Sequence, residues 1–245
     1  MAIPIAALAR SPVKGYRMAR RAVLIRAQNT APGAAFLDRS NFRRRTFEQV
    51  YRKGSWTKRQ NESRSGLGST LEATEQLRQA LPDTLSRLQV QTFLDVPCGD
   101  GNWMSQLDLP VERYIGGDIA PSVVEAARVR FGDERHHFSV IDLCTATLPD
   151  ADMLLCRDAL IHFSLADISR ALDNIRRANI TYLATTTFPD TAANEDIVTG
   201  VRWRRLNLEA EPFNCPPPLI SLTDNVFHRP DKVLAVWRTD DLRAH

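Results

Sequence analysis

The chain has 245 residues, 43% of them hydrophobic and 25% charged, which are ordinary values for a globular protein with a full core. No apolar run approaches the roughly 20 residues of a membrane-spanning helix, and four cysteines without CxxC or Cys/His spacing argue against disulfides and a metal site. Residues 1–45 carry a net charge of +9 within a total of +3, which leaves −6 for the rest, so nucleic acid is not expected as the main partner.

The first 45 residues are predicted to form a basic tail. Six Lys and Arg residues between positions 10 and 26 alternate with apolar residues, and the only acid of the segment is Asp38. Several prolines and glycines interrupt helix formation, which favours a solvated, disordered tail. An amphipathic helix on an anionic membrane surface and an organelle transit peptide stay open as alternatives. We therefore predict a cytoplasmic protein, with peripheral membrane contact through residues 1–45 left open.

Residues 46–90 are predicted to form a helical lid. Ser69–Leu88 has the pattern of one or two helices, broken at Pro82. The preceding stretch contains Trp56 and the polar run Glu62–Gly68, which is typical of a segment that closes a binding site.

From residue 91 onward, short apolar runs alternate with helical patterns. Asn102–Leu107 is expected to open a helix, a second helix starts at Pro121 and stops at Gly132, and a third is capped by Ser164. The last two strands lack a helix between them and must therefore be antiparallel. This pattern predicts an α/β, Rossmann-like, seven-stranded, mostly parallel sheet with a C-terminal antiparallel hairpin over residues 91–245. The predicted strands are Gln91–Val96, Tyr114–Asp118, His136–Asp142, Asp152–Cys156, Ile180–Phe188, Leu219–Thr223 and Lys232–Arg238.

Three of the predicted strands end in an acid, namely Asp95, Asp118 and Asp142. Ligands of such sheets bind beyond the carboxyl ends of the strands. Asp118 follows Gly101 by 17 residues, close to the spacing at which a carboxylate binds ribose hydroxyls. A nicotinamide dinucleotide fits less well, because Trp103 or Met104 stands at the third glycine position and the acids would repel a pyrophosphate. S-adenosylmethionine carries an ammonium and a sulfonium and no phosphate, so the acids favour this cofactor.

The run Asp95–Gly101 (DVPCGDG) resembles the first motif of the class I S-adenosylmethionine-dependent methyltransferases. Asp118 matches the ribose-binding acid of their second motif, and Asp142-Leu143 matches the pair that flanks the adenine. The resemblance spans residues 92–240 and implies a Rossmann-like methyltransferase fold with S-adenosyl-L-methionine as cofactor. It places these residues at the cofactor: Asp95, Pro97, Cys98, Gly99, Gly101, Trp103, Asp118, Ile119, Asp142, Leu143 and Arg157.

A narrower resemblance is to bacterial methyltransferases with ESRSG, PCGDGNWM, RDxLxH and TTTF motifs, which we associate with sugar and polysaccharide methylation. Here these motifs are Glu62–Gly66, Pro97–Met104, Arg157–His162 and Thr185–Phe188. The resemblance implies that the loop after the fourth strand lies beside the transferred methyl group. His162 is the candidate general base and Asp158 its charged partner. A histidine that only packs or binds backbone is the alternative.

An insert at residues 189–218 replaces the helix expected before the sixth strand. It is too long for a plain connection, and its apolar side chains predict that it folds over the acceptor side of the cleft. A flap that only stabilises the sheet edge is the alternative. The candidate substrate-binding residues are Arg64, Trp203, Arg204 and Asn207.

The sequence therefore predicts an S-adenosylmethionine-dependent methyltransferase that O-methylates a glycan, a glycolipid or another hydroxylated small molecule, with no metal ligands. A non-catalytic S-adenosylmethionine-binding module is the alternative from another class, and an NAD(P)-dependent oxidoreductase is a more distant one. The oligomeric state is left open.

Overall fold

A seven-stranded sheet runs through the computed structural model, which describes residues 42–57, 62–224 and 230–242. The strand order is β3-β2-β1-β4-β5-β7-β6. The first five strands are parallel, and β7 is antiparallel to both of its neighbours, β5 and β6. The strands are β1 (Thr92–Asp95), β2 (Arg113–Asp118), β3 (His136–Val140), β4 (Ala151–Cys156), β5 (Ile180–Thr187), β6 (Ile220–Thr223) and β7 (Val233–Arg238). The predicted fold class is confirmed.

The strand order reverses between the neighbouring strands β1 and β4. From β1 the chain continues through β2 and β3 toward one edge of the sheet, and from β4 it continues through β5 toward the other edge. A crevice opens beyond the carboxyl ends of the strands at such a point, because the loops that follow diverge. The sheet topology therefore places the turn after β1 and the loop after β4 on opposite sides of one crevice.

Four α-helices of the described residues flank the sheet: α1 (Phe42–Arg52), α2 (Leu71–Arg87), α3 (Pro121–Phe131) and α4 (Leu165–Arg177). Helix α4 begins as predicted, because the Ser164 side chain accepts a hydrogen bond from the Asp167 backbone N–H. Helix α3 starts at Pro121, whose fixed φ suits a first helical turn, and ends before Gly132. None of the described helices is long and apolar enough to cross a membrane.

Two predicted helix boundaries were wrong. Helix α2 runs unbroken through Pro82, because burial of Leu77, Leu81 and Leu85 at about 1.5–3 kcal/mol each outweighs the roughly 3 kcal/mol that an internal proline costs. The stretch Asn102–Leu107 forms only a 3₁₀ turn at Met104–Gln106. Trp103 and Met104 are buried there against the sheet, so their packing decides the local backbone.

The boundary of the basic tail also moves. Helix α1 begins at Phe42, and Arg43 is buried, so the last residues assigned to the tail belong to the folded part. The expectations for residues 1–41 lie outside the described residues and stay predictions.

Apolar side chains from alternate positions of the strands form a core on each face of the sheet. Helix α4 covers one face, where Leu94 and Leu154 lie, and helices α2 and α3 cover the other, where Phe93 and Met153 lie. The insert at residues 189–218 packs onto the α4 face without regular secondary structure. Its buried apolar side chains are Ile197, Val198, Leu206, Leu208, Phe213 and Cys215.

The insert is less buried than its composition predicts. Val201 is 58% exposed and Trp203 is 39% exposed, although both were expected to leave water. The segment is instead held by polar contacts to the start of α4, where the Thr199 hydroxyl donates to Asp167 and Asp196 accepts from the Leu165 N–H. The prediction that the insert is ordered agrees with these contacts.

Candidate cofactor and acceptor cavity

A cavity of about 490 Å³ opens at the carboxyl ends of β1, β2 and β4. Helix α1 and the loop of residues 65–69 form the wall opposite the sheet. Most of the predicted site residues line it: Asp95, Pro97, Cys98, Gly99, Trp103, Asp118, Ile119, Asp142, Leu143, Arg157, Asp158, His162 and Trp203. Gly101, Arg64, Arg204 and Asn207 are not among the lining residues.

Asp95 ends β1 with its carboxylate almost completely out of water. The Tyr114 hydroxyl donates a 2.8 Å hydrogen bond to it. Burial, with a contribution from nearby Asp118, raises the pKa of Asp95 to about 7 despite this hydrogen bond. A cationic group in the cavity would therefore favour the ionised form of this carboxyl.

Asp118 ends β2 in a similar environment. Its Oδ1 accepts from the Ala120 backbone N–H at 2.9 Å, and the Tyr51 hydroxyl of α1 lies 3.5 Å from its Oδ2. Burial raises the pKa of Asp118 to about 6, although these donors oppose the shift. Asp118 can accept hydrogen bonds from a ligand at the edge of the sheet, as the sequence predicts for a ribose.

The glycine-containing turn after β1 binds the segment at residues 62–69. Asp100 accepts from the Arg64 N–H at 2.6 Å and from the hydroxyls of Ser63 and Ser65 at 3.0 and 3.1 Å. A Cβ on Gly99, which has φ of +57°, would lie 2.3 Å from the Ser65 Oγ. Asp100 therefore anchors the lid to the turn rather than facing a ligand.

Two predicted site residues have other roles. Gly101 has φ of +66°, and a Cβ there would lie 3.0 Å from the Phe131 ring, so glycine is required for backbone geometry and packing. The Arg64 side chain is exposed, and only its backbone N–H takes part in the site, through Asp100. We therefore assign Gly101 to the shape of the turn and Arg64 to the attachment of the lid.

Beside the cavity, two residues of the loop after β4 meet two residues from the ends of β6 and β7 in a largely buried charge quartet, which we define as Arg157, Asp158, Asp224 and Lys232. Lys232 is fully buried, and its Nζ lies 2.8 Å from both Asp158 Oδ2 and Asp224 Oδ2. The Arg157 guanidinium donates twice to Asp224, at 2.8 and 3.0 Å, and once to the Gly68 carbonyl at 2.7 Å. Two cations thus neutralise two anions.

The charge quartet fixes the protonation of Asp158. Burial opposes its ionisation, but Lys232 and Arg157 more than offset this and hold the pKa of Asp158 well below its usual range. Asp158 is therefore an anion at any physiological pH and cannot act as a base. Asp158 lines the same cavity as His162.

His162 is half-buried on the wall of the cavity, with its ring 5.4 Å from that of Trp56. Its Nδ1 lies 3.2 Å from the Arg202 carbonyl oxygen. A carbonyl oxygen only accepts hydrogen bonds, so Nδ1 carries the hydrogen in the neutral ring and Nε2 carries the lone pair. This tautomer suits a histidine that takes a proton through Nε2.

Aromatic rings dominate the remaining wall. Phe47 lies 6.3 Å from Trp56 and 6.0 Å from Phe163, and Trp203 stacks at 6.5 Å on Phe188. Trp203 borders the cavity and is 39% exposed.

Arg204 and Asn207 point into the protein instead. The Arg204 guanidinium donates to the backbone carbonyls of Glu195, Leu160 and Phe163. The Asn207 amide donates to the carbonyls of Pro189 and Thr191. Backbone oxygens in a segment without regular structure need such donors. We therefore assign both residues to the folding of the insert rather than to acceptor binding.

Sequence reasoning missed several residues of the site. Tyr51 and Phe47 reach the cavity from α1, and Arg43 donates to Asp142 from its other side. Lys232 and Asp224 come from the ends of β7 and β6. For Tyr51 and Phe47, the only available signal in the sequence was the prediction that residues 46–90 form a lid over the site. Within the described ranges no three His, Cys, Asp or Glu side chains meet in a way that could hold a metal ion.

Comparison with known proteins agrees with this geometry. Residues 93–179 match the model of a family described as a methyltransferase domain. Magnesium-protoporphyrin O-methyltransferase from Rhodobacter capsulatus is 28% identical over 115 residues, which cover 46% of this chain and 50% of the relative. The chain thus matches about half the length of this curated relative.

Solved structures share the fold at low identity. Mitomycin 7-O-methyltransferase MmcR is 20% identical with a TM-score of 0.50, over 69% of this chain and 54% of that protein. The PH0226 protein from Pyrococcus horikoshii OT3 is 18% identical with a TM-score of 0.50, over 68% of this chain and 89% of that protein. At these identities the likeness concerns the fold.

Proposed function

We propose that this chain, a member of the class I S-adenosylmethionine-dependent methyltransferases, transfers a methyl group from S-adenosylmethionine to a hydroxyl of a glycan, a glycolipid or another hydroxylated small molecule. The observation that carries the proposal is the charge of the cavity wall. Four carboxylates line it, those of Asp95, Asp118, Asp142 and Asp158, against one guanidinium.

The residues present fit this cofactor. S-adenosylmethionine brings an ammonium and a sulfonium, which complement the carboxylates of Asp95 and Asp118, whose ionised forms burial makes costly. Asp95 and the turn at Gly99 would hold the methionine part, and Asp118 and Asp142 would accept from the ribose hydroxyls and the adenine amino group. A phosphate-bearing cofactor would meet repulsion from the ionised forms of Asp95 and Asp118.

When bound, S-adenosylmethionine supplies an electrophilic methyl group on a positively charged sulfur. A hydroxyl acceptor must lose its proton as it attacks, and His162 can take that proton at Nε2. Asp158 stays ionised beside it and would stabilise the positive charge that His162 gains. The chain thus supplies alignment and a proton acceptor, which are the two requirements of the transfer.

The acceptor side favours an uncharged, hydroxylated molecule. Trp56 and Trp203 offer ring faces for the apolar face of a sugar or of a planar ring. Arg157 is the only Lys or Arg among the lining residues that the structure describes, and its donors are taken up largely by Asp224 and Gly68. An oxygen acceptor also agrees with the activity of the relative from Rhodobacter capsulatus, an O-methyltransferase.

The proposal is tested by incubating the protein with methyl-labelled S-adenosylmethionine and separated bacterial glycans, lipids, proteins and small hydroxylated compounds. Label should enter a carbohydrate, lipid or small-molecule fraction as a base-stable methyl ether. Label in protein, or as a base-labile ester, would contradict the proposed acceptor. Binding of the cofactor without any transfer would favour the alternative of a non-catalytic binding module.

Replacing Asp118 by alanine should weaken cofactor binding by about 1–3 kcal/mol, because the ribose would lose charge-assisted hydrogen bonds. Isothermal titration calorimetry with S-adenosylmethionine measures this loss, and Asp133→Ala, which removes an exposed acid from a turn, is the matched control. Full affinity in the Asp118 variant would remove the ribose assignment.

Cofactor affinity should increase with pH. Asp118 and Asp95 have pKa values of about 6 and 7, and their ionised forms are favoured by the ribose hydroxyls and by the cationic methionine part, respectively, so binding releases protons below these values. The affinity measured by calorimetry should rise about tenfold or more from pH 5 to pH 8 and then level off. In the Asp95→Asn variant, the part of the increase in cofactor affinity that is centred near pH 7 should disappear. A flat profile in the unmodified protein would show that neither carboxyl contacts the cofactor.

A further inference from the structure

The third acid of the cavity, Asp142, is held from outside the sheet. Arg43 of helix α1 donates to its Oδ2 through Nη2 at 2.8 Å and through Nε at 3.2 Å. The Oδ1 of Asp142 accepts from the Cys144 N–H at 3.0 Å. Both oxygens are thus fixed, and the orientation of the carboxylate toward the cavity depends on an arginine that does not line the cavity itself.

Arg43 also separates two like charges. Its Nη1 lies 2.9 Å from Asp167 Oδ1, so one buried guanidinium bridges the carboxylates of Asp142 and Asp167. Without Arg43, Asp167 would keep the Arg170 guanidinium at 2.7 Å from its Oδ1, whereas Asp142 would lose the cation that holds it and would face a nearby like charge. The side chain of Asp142 could then turn away from its place beside Ile119 and Leu143.

Two further residues on the buried face of helix α1 line the cavity. Arg43, Phe47 and Tyr51 are spaced four residues apart, so they lie on one face of the helix, and all three are buried. Phe47 and Tyr51 line the cavity, and the Tyr51 hydroxyl reaches Asp118. Arg44, Arg45 and Arg52 lie on the exposed face. One helix therefore contacts the two acids predicted to bind ribose and adenine.

We propose that helix α1 is part of the cofactor site, with Arg43 as a positioning residue for Asp142 and Tyr51 as a positioning residue for Asp118. This inference rests on the proposed use of S-adenosylmethionine, but it concerns residues that precede the matched methyltransferase domain. Arg43 holds the Asp142 carboxylate where it accepts a hydrogen bond from the adenine amino group. Residues 42–45, which the sequence assigns to a basic tail, thereby belong to a helix that contributes to recognition of the adenine.

Arg43→Gln provides the test, with two ligands that differ at one group. S-adenosylhomocysteine carries the adenine amino group, whereas S-inosylhomocysteine carries a carbonyl oxygen in its place, so the hydrogen bond from this position to Asp142 is lost and an oxygen faces the carboxylate instead. We expect the variant to bind the first ligand about tenfold more weakly, the range of a hydrogen bond to a charged group. Its affinity for the inosine analogue should stay within about twofold of the unmodified protein. Arg44→Gln, one residue along on the exposed face, should leave both affinities unchanged.

The ratio of the two affinities separates positioning from a structural role. A general loss of folding would weaken the binding of both ligands equally and lower the melting temperature, and this result would overturn the inference. Unchanged binding of both ligands would also overturn it. If Arg43→Gln fails to fold, Arg43→Lys keeps one cation between the carboxylates and should show a partial loss of adenine preference. An undiminished preference in that variant would overturn the inference.

These outcomes are distinct from failure of the proposed function. Binding of S-adenosylhomocysteine by the unmodified protein does not depend on an acceptor, so the test can succeed even where no methyl transfer is found. If the unmodified protein fails to bind either ligand, the proposed cofactor is wrong and the inference falls with it. If binding is normal and the Arg43 variants retain full adenine preference, only the inference falls.

Discussion

Replacing Lys232 by methionine is expected to lower the free energy of unfolding by about 3–5 kcal/mol, the range found when one partner of a buried ion pair is removed. Methionine retains the apolar part of the side chain, so little packing is lost. The cost arises because Asp158 and Asp224, each 2.8 Å from the Lys232 ammonium, are left with Arg157 as the sole remaining cation of the charge quartet. Urea denaturation monitored by circular dichroism measures the change.

Two further variants identify the cause of this loss. Lys53→Met changes an exposed lysine and should stay within about 0.5 kcal/mol of the unmodified protein. The double variant Lys232→Met/Asp224→Asn removes one of the stranded anions and should recover part of the lost stability. A loss below about 1 kcal/mol for Lys232→Met alone would show that the quartet is compensated by water or by neighbouring groups.

Replacing His162 by asparagine is expected to lower turnover by roughly 10²- to 10⁴-fold, the contribution usual for a positioned general base. The asparagine amide can still donate to the Arg202 carbonyl in place of Nδ1, so the loop should keep its conformation. The group that takes the acceptor proton is lost. Initial rates with the acceptor found by labelling measure the effect, and calorimetry should show unchanged cofactor affinity.

The control for this variant is His136→Asn. His136 bonds Asp133 at the start of β3, away from the cavity, and its replacement should leave turnover unchanged. Near-normal turnover in the His162 variant would leave His162 as a packing residue against Trp56. Equal losses of turnover and cofactor affinity would point to a collapsed loop rather than to a missing base.

Much of the sheet could be predicted from the sequence because its signals are local. Each central strand is a short apolar run that ends in a polar or acidic residue, and the residues on either side of that end are neighbours in the chain. The positions of Asp95 and Asp118 at the cavity could therefore be predicted once their strands were taken to be parallel. The cap at Ser164 was predictable for the same reason, since it joins residues three positions apart.

The lid was less predictable because its partners are distant. Asp100 looked like a member of the ligand-binding turn, but it bonds Ser63 and Ser65, more than thirty residues earlier in the chain. Pro82 has a strong local preference to end a helix, and burial of the leucine stripe around it overrides that preference.

The sequence by itself determined the fold class, the cofactor class and the acids at the ends of β1 and β2, because these follow from strand periodicity and from chemistry within a few residues. Only the tertiary structure decided which charges are buried and with which partners. Arg43 and Asp142 are 99 positions apart, and Lys232 and Asp158 are 74 apart. From the sequence, a charged residue is expected to be exposed to solvent, because its burial is costly unless it pairs with an opposite charge. Which opposite charge it pairs with is decided only in the folded chain.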